Sequence, residues 1–90
     1  MRTQFIIGED KYVKIRVSDP MGQPFEIFAA SYELKRYGKV IQSGPAFIDG
    51  DDLHEISARI RPEDTGNHVL EFTYQISDTT RKARVDVEVV

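Results

Sequence analysis

Ninety residues carrying 12 Lys+Arg against 15 Asp+Glu, a net charge of −3, suffice for one small domain and lack the basic excess that grips a nucleic-acid backbone. A chain that is 40% hydrophobic and 30% charged is ordinary globular protein, which sets aside disordered, collagen-like and low-complexity classes. The absence of cysteine excludes a disulfide framework, a thiolate nucleophile and Cys-ligated zinc, and no apolar run reaches a signal h-region or the roughly 20 residues of a membrane span.

Apolar residues recur with period two, the spacing of half-buried strands, and almost nowhere with helical spacing, so the chain reads as all-β. Thr3 to Ile7 is a first strand. Lys11 to Val17 places Val13, Ile15 and Val17 on one face and Tyr12, Lys14 and Arg16 on the other, before the turn residues Asp19-Pro20-Met21-Gly22. From Phe28 to Arg36 the alternation points Phe28, Ala30, Tyr32 and Leu34 inward and Ala29, Ser31, Glu33 and Lys35 outward. Gly38 opens a hairpin whose return runs over Lys39–Gln42, and Ser43-Gly44-Pro45 interrupts it, because proline cannot donate to a central ladder; an edge is expected there.

Phe47-Ile48 is a short rung ahead of Asp49-Gly50-Asp51-Asp52, after which Ile56, Ala58 and Ile60 alternate with Glu55, Ser57, Arg59 and Arg61 up to Pro62. His68, Leu70, Phe72, Tyr74 and Ile76 then share one face, with Glu71, Thr73 and Gln75 opposite. Asp78-Thr79-Thr80 turns the chain, and Ala83, Val85, Val87 and Val89 alternate with Arg84, Asp86 and Glu88. Seven or eight strands at this spacing predict a sandwich or barrel, with residues 1–90 forming one domain and no repeat or linker.

The segment Arg61-Pro62-Glu63-Asp64-Thr65-Gly66-Asn67-His68-Val69-Leu70 resembles the corner between the fifth and sixth strands of immunoglobulin-type sandwiches. The resemblance implies an immunoglobulin-like antiparallel β-sandwich. It places His68 where that family has a backbone-bonding tyrosine and Leu70 where antibody domains have their second disulfide cysteine. Ile15 or a neighbour on its face replaces the first cysteine. Independently of the family, Pro62 ends a strand, Asp64 can cap the turn and Gly66 can supply a positive φ.

A second resemblance rests on Asp19, Gly22 and Pro24 in the first turn and on Pro62, Asp64, Thr65 and Gly66 in the corner. These are similar to turns in small β-sandwich modules of tailed-phage structural proteins, the N-terminal domain of baseplate upper proteins being the nearest. It implies a virion structural module whose partners are further copies of itself or other virion components, located in the particle or the host cytoplasm. No fibre or receptor-binding domain follows the last predicted strand, as expected of a small accessory protein or an excised module.

Chemistry-bearing clusters are few. Asp49, Asp51 and Asp52 form the one local set of oxygen ligands. Their spacing is not that of an EF-hand, and acidic residues around a glycine are common turn composition. His54 and His68 fall on different predicted strands and lack a third ligand. No serine sits in a nucleophile elbow and no glycine-rich loop precedes a helix, so no catalytic residue and no cofactor is proposed.

Tyr12 has outward parity, while Phe25 and Tyr37 sit at strand ends. With Ile27 and Ala29 they are candidates for an exposed patch that docks a protein, beside edge pairing through Val40. The expected function is therefore a non-enzymatic structural or protein-interaction module, with no nucleic-acid or membrane partner. The alternative is a carbohydrate- or peptide-binding sandwich, in one version calcium-dependent through Asp49, Asp51 and Asp52.

Overall fold

A computed structural model of the chain describes residues 1–18, 22, 24–49 and 54–90. The turn residues Asp19, Pro20 and Met21 and the acidic-loop residues Asp51 and Asp52 lie outside the described residues. Among the described residues eight strands form: β1 (Arg2–Phe5), β2 (Lys11–Arg16), β3 (Ile27–Arg36), β4 (Lys39–Pro45), β5 (Phe47–Ile48), β6 (Glu55–Ile60), β7 (Gly66–Ile76) and β8 (Thr79–Val89). They make a five-stranded sheet in the order β1-β8-β7-β3-β4 and a three-stranded sheet in the order β2-β6-β5, an immunoglobulin-like sandwich.

The predicted alternation builds the core between the sheets. Val13 and Ile15 of β2 and Ile56, Ala58 and Ile60 of β6 are buried on one side, and Leu34, Leu70, Phe72, Val85, Val87 and Val89 on the other. Leu70 and Ile15 are both in this core.

Four local details differ from the sequence expectation. Between Ile27 and Ala29 the pairing of β3 with β7 shifts register, and this bulge turns Ile27 into the core and leaves Phe28 62% exposed. β4 runs through to Pro45, which pairs with Ser31, since an edge strand tolerates a residue without an N–H donor. The last hairpin turns at Ser77-Asp78, with Ile76 directly opposite Thr79, a two-residue connection instead of the three residues expected. Finally, one ladder is parallel: β1 runs alongside β8 from the Arg2–Asp86 pair to the Phe5–Val89 pair. Bonds from Asp86 N to Met1 O, Val90 N to Phe5 O and Ile7 N to Val90 O, at 2.8–2.9 Å, extend that ladder at both ends.

Where the sheets separate at their margins, side chains and loop amides tie them together. Ala46 N donates to Ala30 O as the chain leaves β4 for β5. The Gln42 amide engages the backbone just past β6 twice, Nε2 donating to Arg61 O and Oε1 accepting from Arg61 N.

Phe72 is fully buried at the centre of β7. Phe72→Ala should cost about 3–5 kcal/mol, a large share of the stability of a domain this small. Urea unfolding in which the extrapolated free energy fell by less than a third of that would show that the core does not close on this ring.

Candidate interaction surfaces

The outer faces of the two sheets carry different chemistry. On the five-stranded sheet, outward residues of β7 and β8 meet across the ladder, with Glu71 directly opposite Arg84. The Glu71 carboxylate is only 3% exposed although it points away from the core. Arg84 Nε donates to its Oε2 at 2.8 Å, and Lys35 Nζ and Lys82 Nζ both lie 3.4 Å from Oε1. Three cationic side chains thus roof the carboxylate and replace its water. The Arg84 hydrogen bond lowers its pKa most, burial opposes, and the fields of Lys35 and Lys82 lower it further, to about 2. From spacing alone Glu71 reads as an ordinary solvated charge; its burial follows from the long side chains across the neighbouring strands.

Beside this cluster lies a groove of about 610 Å³, lined among others by Lys35, Tyr37, Gly38, Asn67, Val69, Arg84 and Asp86. Tyr37 stands at its rim, at the tip of the β3–β4 hairpin, 87% exposed. The Arg36 guanidinium lies over the Tyr37 ring at 5.0 Å. Arg36 is itself anchored at the corner, where Nη2 donates to Thr65 O at 3.0 Å and Nη1 lies 3.5 Å from Asp64. Asp64 therefore works at the corner by holding an arginine. Gly66 supplies the positive φ, 113°, that starts β7. His68 is buried, and its Nδ1 donates to Gly66 O at 3.1 Å, while its Nε2 is buried without a partner among the described residues.

On the three-stranded sheet the outward residues include an exposed aromatic pair. Tyr12 of β2 and Phe47 of β5 are 49% and 54% exposed and meet edge to face, with ring centroids 6.0 Å apart and planes at 64°. Arg59 of β6 stands opposite Tyr12, with its guanidinium 5.9 Å from that ring. Asp10 fixes Arg59 through both oxygens, at 2.8 and 3.2 Å, and this hydrogen bonding holds the guanidinium pKa above its usual value.

The expected single patch is thereby divided. Tyr12 and Tyr37 lie on the outer surfaces of different sheets, which face away from each other in a sandwich. Phe25 stacks on His54 at 4.2 Å, accepts a hydrogen bond from its Nε2 at 3.0 Å through the main-chain oxygen, and packs against the core. Ile27 is buried by the bulge, and Ala29 is exposed. Val40 is exposed on the edge strand β4. That edge carries a register shift at Ile41, Lys39 at one end and Pro45 at the other, features that blunt strand addition. Phe47, read from the sequence as a short rung, is the residue that completes the aromatic pair; the signal available was its isolation between Pro45 and the acidic turn. Asp49 N donates to Glu55 O, and no group of three or more potential metal-ligating side chains occurs among the described residues.

Comparison with solved structures matches the fold to the crystal structure of an engineered protein, with a TM-score of 0.73 and 17% identity. The match covers 99% of this chain, which spans 17% of the length of that one. No family model matches the chain, and no curated protein does.

The Glu71 cluster makes a pH prediction. Because its pKa is depressed in the folded state, its contribution is complete above the ordinary carboxylate value near 4.5 and disappears as pH falls toward about 2. Lys82 and Arg84 are 57% and 71% exposed, so water screens part of the interaction and about 1–2 kcal/mol is expected. Glu71→Gln should lower stability by that amount at neutral pH and converge with the wild type near pH 2 in urea titrations. A constant gap across that range would contradict the assignment.

Proposed function

We propose that the chain is a non-enzymatic protein-interaction module that docks through the outer face of its three-stranded sheet, in the first instance against a second copy of itself. The observation that carries this reading is the Tyr12–Phe47 pair with Arg59 beside it. Aromatic and arginine side chains contribute most of the binding energy in protein interfaces, and here two large rings remain in water although the core does not need them. Asp10 and Arg59 set opposite charges beside the rings. A two-fold axis through the pair would bring each charge near its opposite, the self-complementarity that an isologous contact requires.

The resemblance of the corner Pro62, Asp64, Thr65 and Gly66 to baseplate modules makes a phage or prophage particle the assembly we favour. Repeated copies in symmetric contact are what such an assembly uses.

Light scattering over a concentration series tests the reading. The wild type should show a discrete oligomer, and Tyr12→Ala combined with Phe47→Ala should return it to monomer with an unchanged folded spectrum. Val40→Pro separates face docking from edge pairing: association through the face survives it, whereas association through β4 is lost. A strict monomer at every concentration would remove the self-docking proposal.

A further inference from the structure

We infer that the groove on the opposite side of the sandwich, beneath Tyr37, is a binding site for a neutral oligosaccharide, with the tyrosine ring as its stacking platform. The backbone at the tip of the β3–β4 hairpin is harder to account for than any other part of it. Tyr37 and Gly38 have φ of 53° and 77°, the left-handed pair of a two-residue turn. Asn, Asp and Gly occupy such positions at little steric cost, whereas a bulky aromatic residue there is an outlier. Strain of this kind persists where the surroundings hold it in place, and it collects at ligand sites.

The surroundings of Tyr37 do hold it. Its ring lies against Arg36, which Thr65 O and Asp64 anchor from the corner, so the side chain is positioned although it is almost fully in water. A ring with one face supported and the other available is a platform for the apolar C–H face of a pyranose.

The groove beside the ring supplies the rest. At about 610 Å³ it falls within the roughly 300–1,000 Å³ of small-ligand sites, and it is an open trough along a sheet, a shape suited to a chain molecule. Its charged lining is balanced, Arg2, Lys35 and Arg84 against Glu71, Asp86 and Glu88, so no net field selects an ion. Most of these charges are already engaged, Arg2 with Glu88 and both Lys35 and Arg84 with Glu71, so the hydroxyl groups of a sugar meet the polar side chains that remain. Asp86 carries no ion pair among the described residues and Asn67 is exposed, so both are available to a ligand. A protein partner is the weaker match, because Val69 and Tyr37 are the main apolar anchors in the trough.

The test uses neutral hexasaccharides of glucose, N-acetylglucosamine, mannose and galactose, titrated into the whole chain at millimolar concentration and followed by amide NMR. At least one should shift the amides of Gly38, Asn67, Val69 and Asp86, with an affinity that is the same in low and high salt, as befits an uncharged ligand. Tyr37→Asn removes the platform while giving the turn a residue it accommodates. It should weaken binding at least about tenfold while leaving Tm unchanged or raising it by a few degrees.

Asp86→Ala, a second variant at an exposed position, should weaken binding without altering the fold. Silence across the four sugars, shifts confined to another face, or a Tyr37→Asn variant that binds as well as the wild type would overturn the inference. So would a fall in Tm for that variant with binding intact, since the ring would then serve the hairpin alone. A proline-rich peptide that moves the same amides while the sugars do not would also overturn it and make the groove a protein site.

Discussion

Hydrogen bonding along both edges of β7 imposes the constraint on which the rest of the large sheet depends. Its neighbours β3 and β8 are antiparallel to it over most of its eleven residues, so its position sets the height of every side chain across three strands. On the inner side that places Leu70 and Phe72 against the smaller sheet; on the outer side it places Glu71 among Lys35, Lys82 and Arg84. A slip of one residue would exchange the two faces, exposing the core residues and bringing the carboxylate inside. Hydrophobic burial and the charge cluster therefore specify the same register from opposite sides of one strand.

The unequal sheets follow from where the chain changes layer. β4 leaves the large sheet at Pro45 and the chain crosses to β5 within two residues, tied by Ala46 to Ala30. That short crossing puts Phe47 on the outer face of the small sheet, next to Tyr12. The β3–β4 hairpin meanwhile carries Tyr37 to the rim of the opposite surface. One continuous segment thus delivers an aromatic residue to each side of the sandwich, and the two surfaces can be occupied at the same time without competing.

Much of this architecture was legible because alternation is a direct consequence of having one dry and one wet face. Val13, Ile15, Ile56, Ala58, Ile60, Val85, Val87 and Val89 all lie where their parity puts them. What parity cannot show is an inserted residue. The bulge at Phe28 shifts the phase of β3, so Ile27 becomes core and Phe28 surface, and no local pattern announces it because both are apolar. Nor does parity give the partner strand: Glu71 reads as solvated until Arg84 is known to stand across from it, which requires the turn at Ser77-Asp78 to be placed to the residue. The division of Tyr12 from Tyr37 between two sheets is likewise a matter of topology, since both lie near strand ends and neither carries a mark of its layer.

The parallel pairing of β1 with β8 has a mechanical consequence. Tension applied at Arg2 and at Val89 pulls the two strands in opposite directions along their common axis. The four paired positions, and the bonds from Met1, Phe5, Ile7, Asp86 and Val90 that extend them, are then strained together. An antiparallel end pair drawn from one side peels open one bond after another, whereas this one must shear along its whole length at once. The geometry makes the strand ends a mechanical clamp.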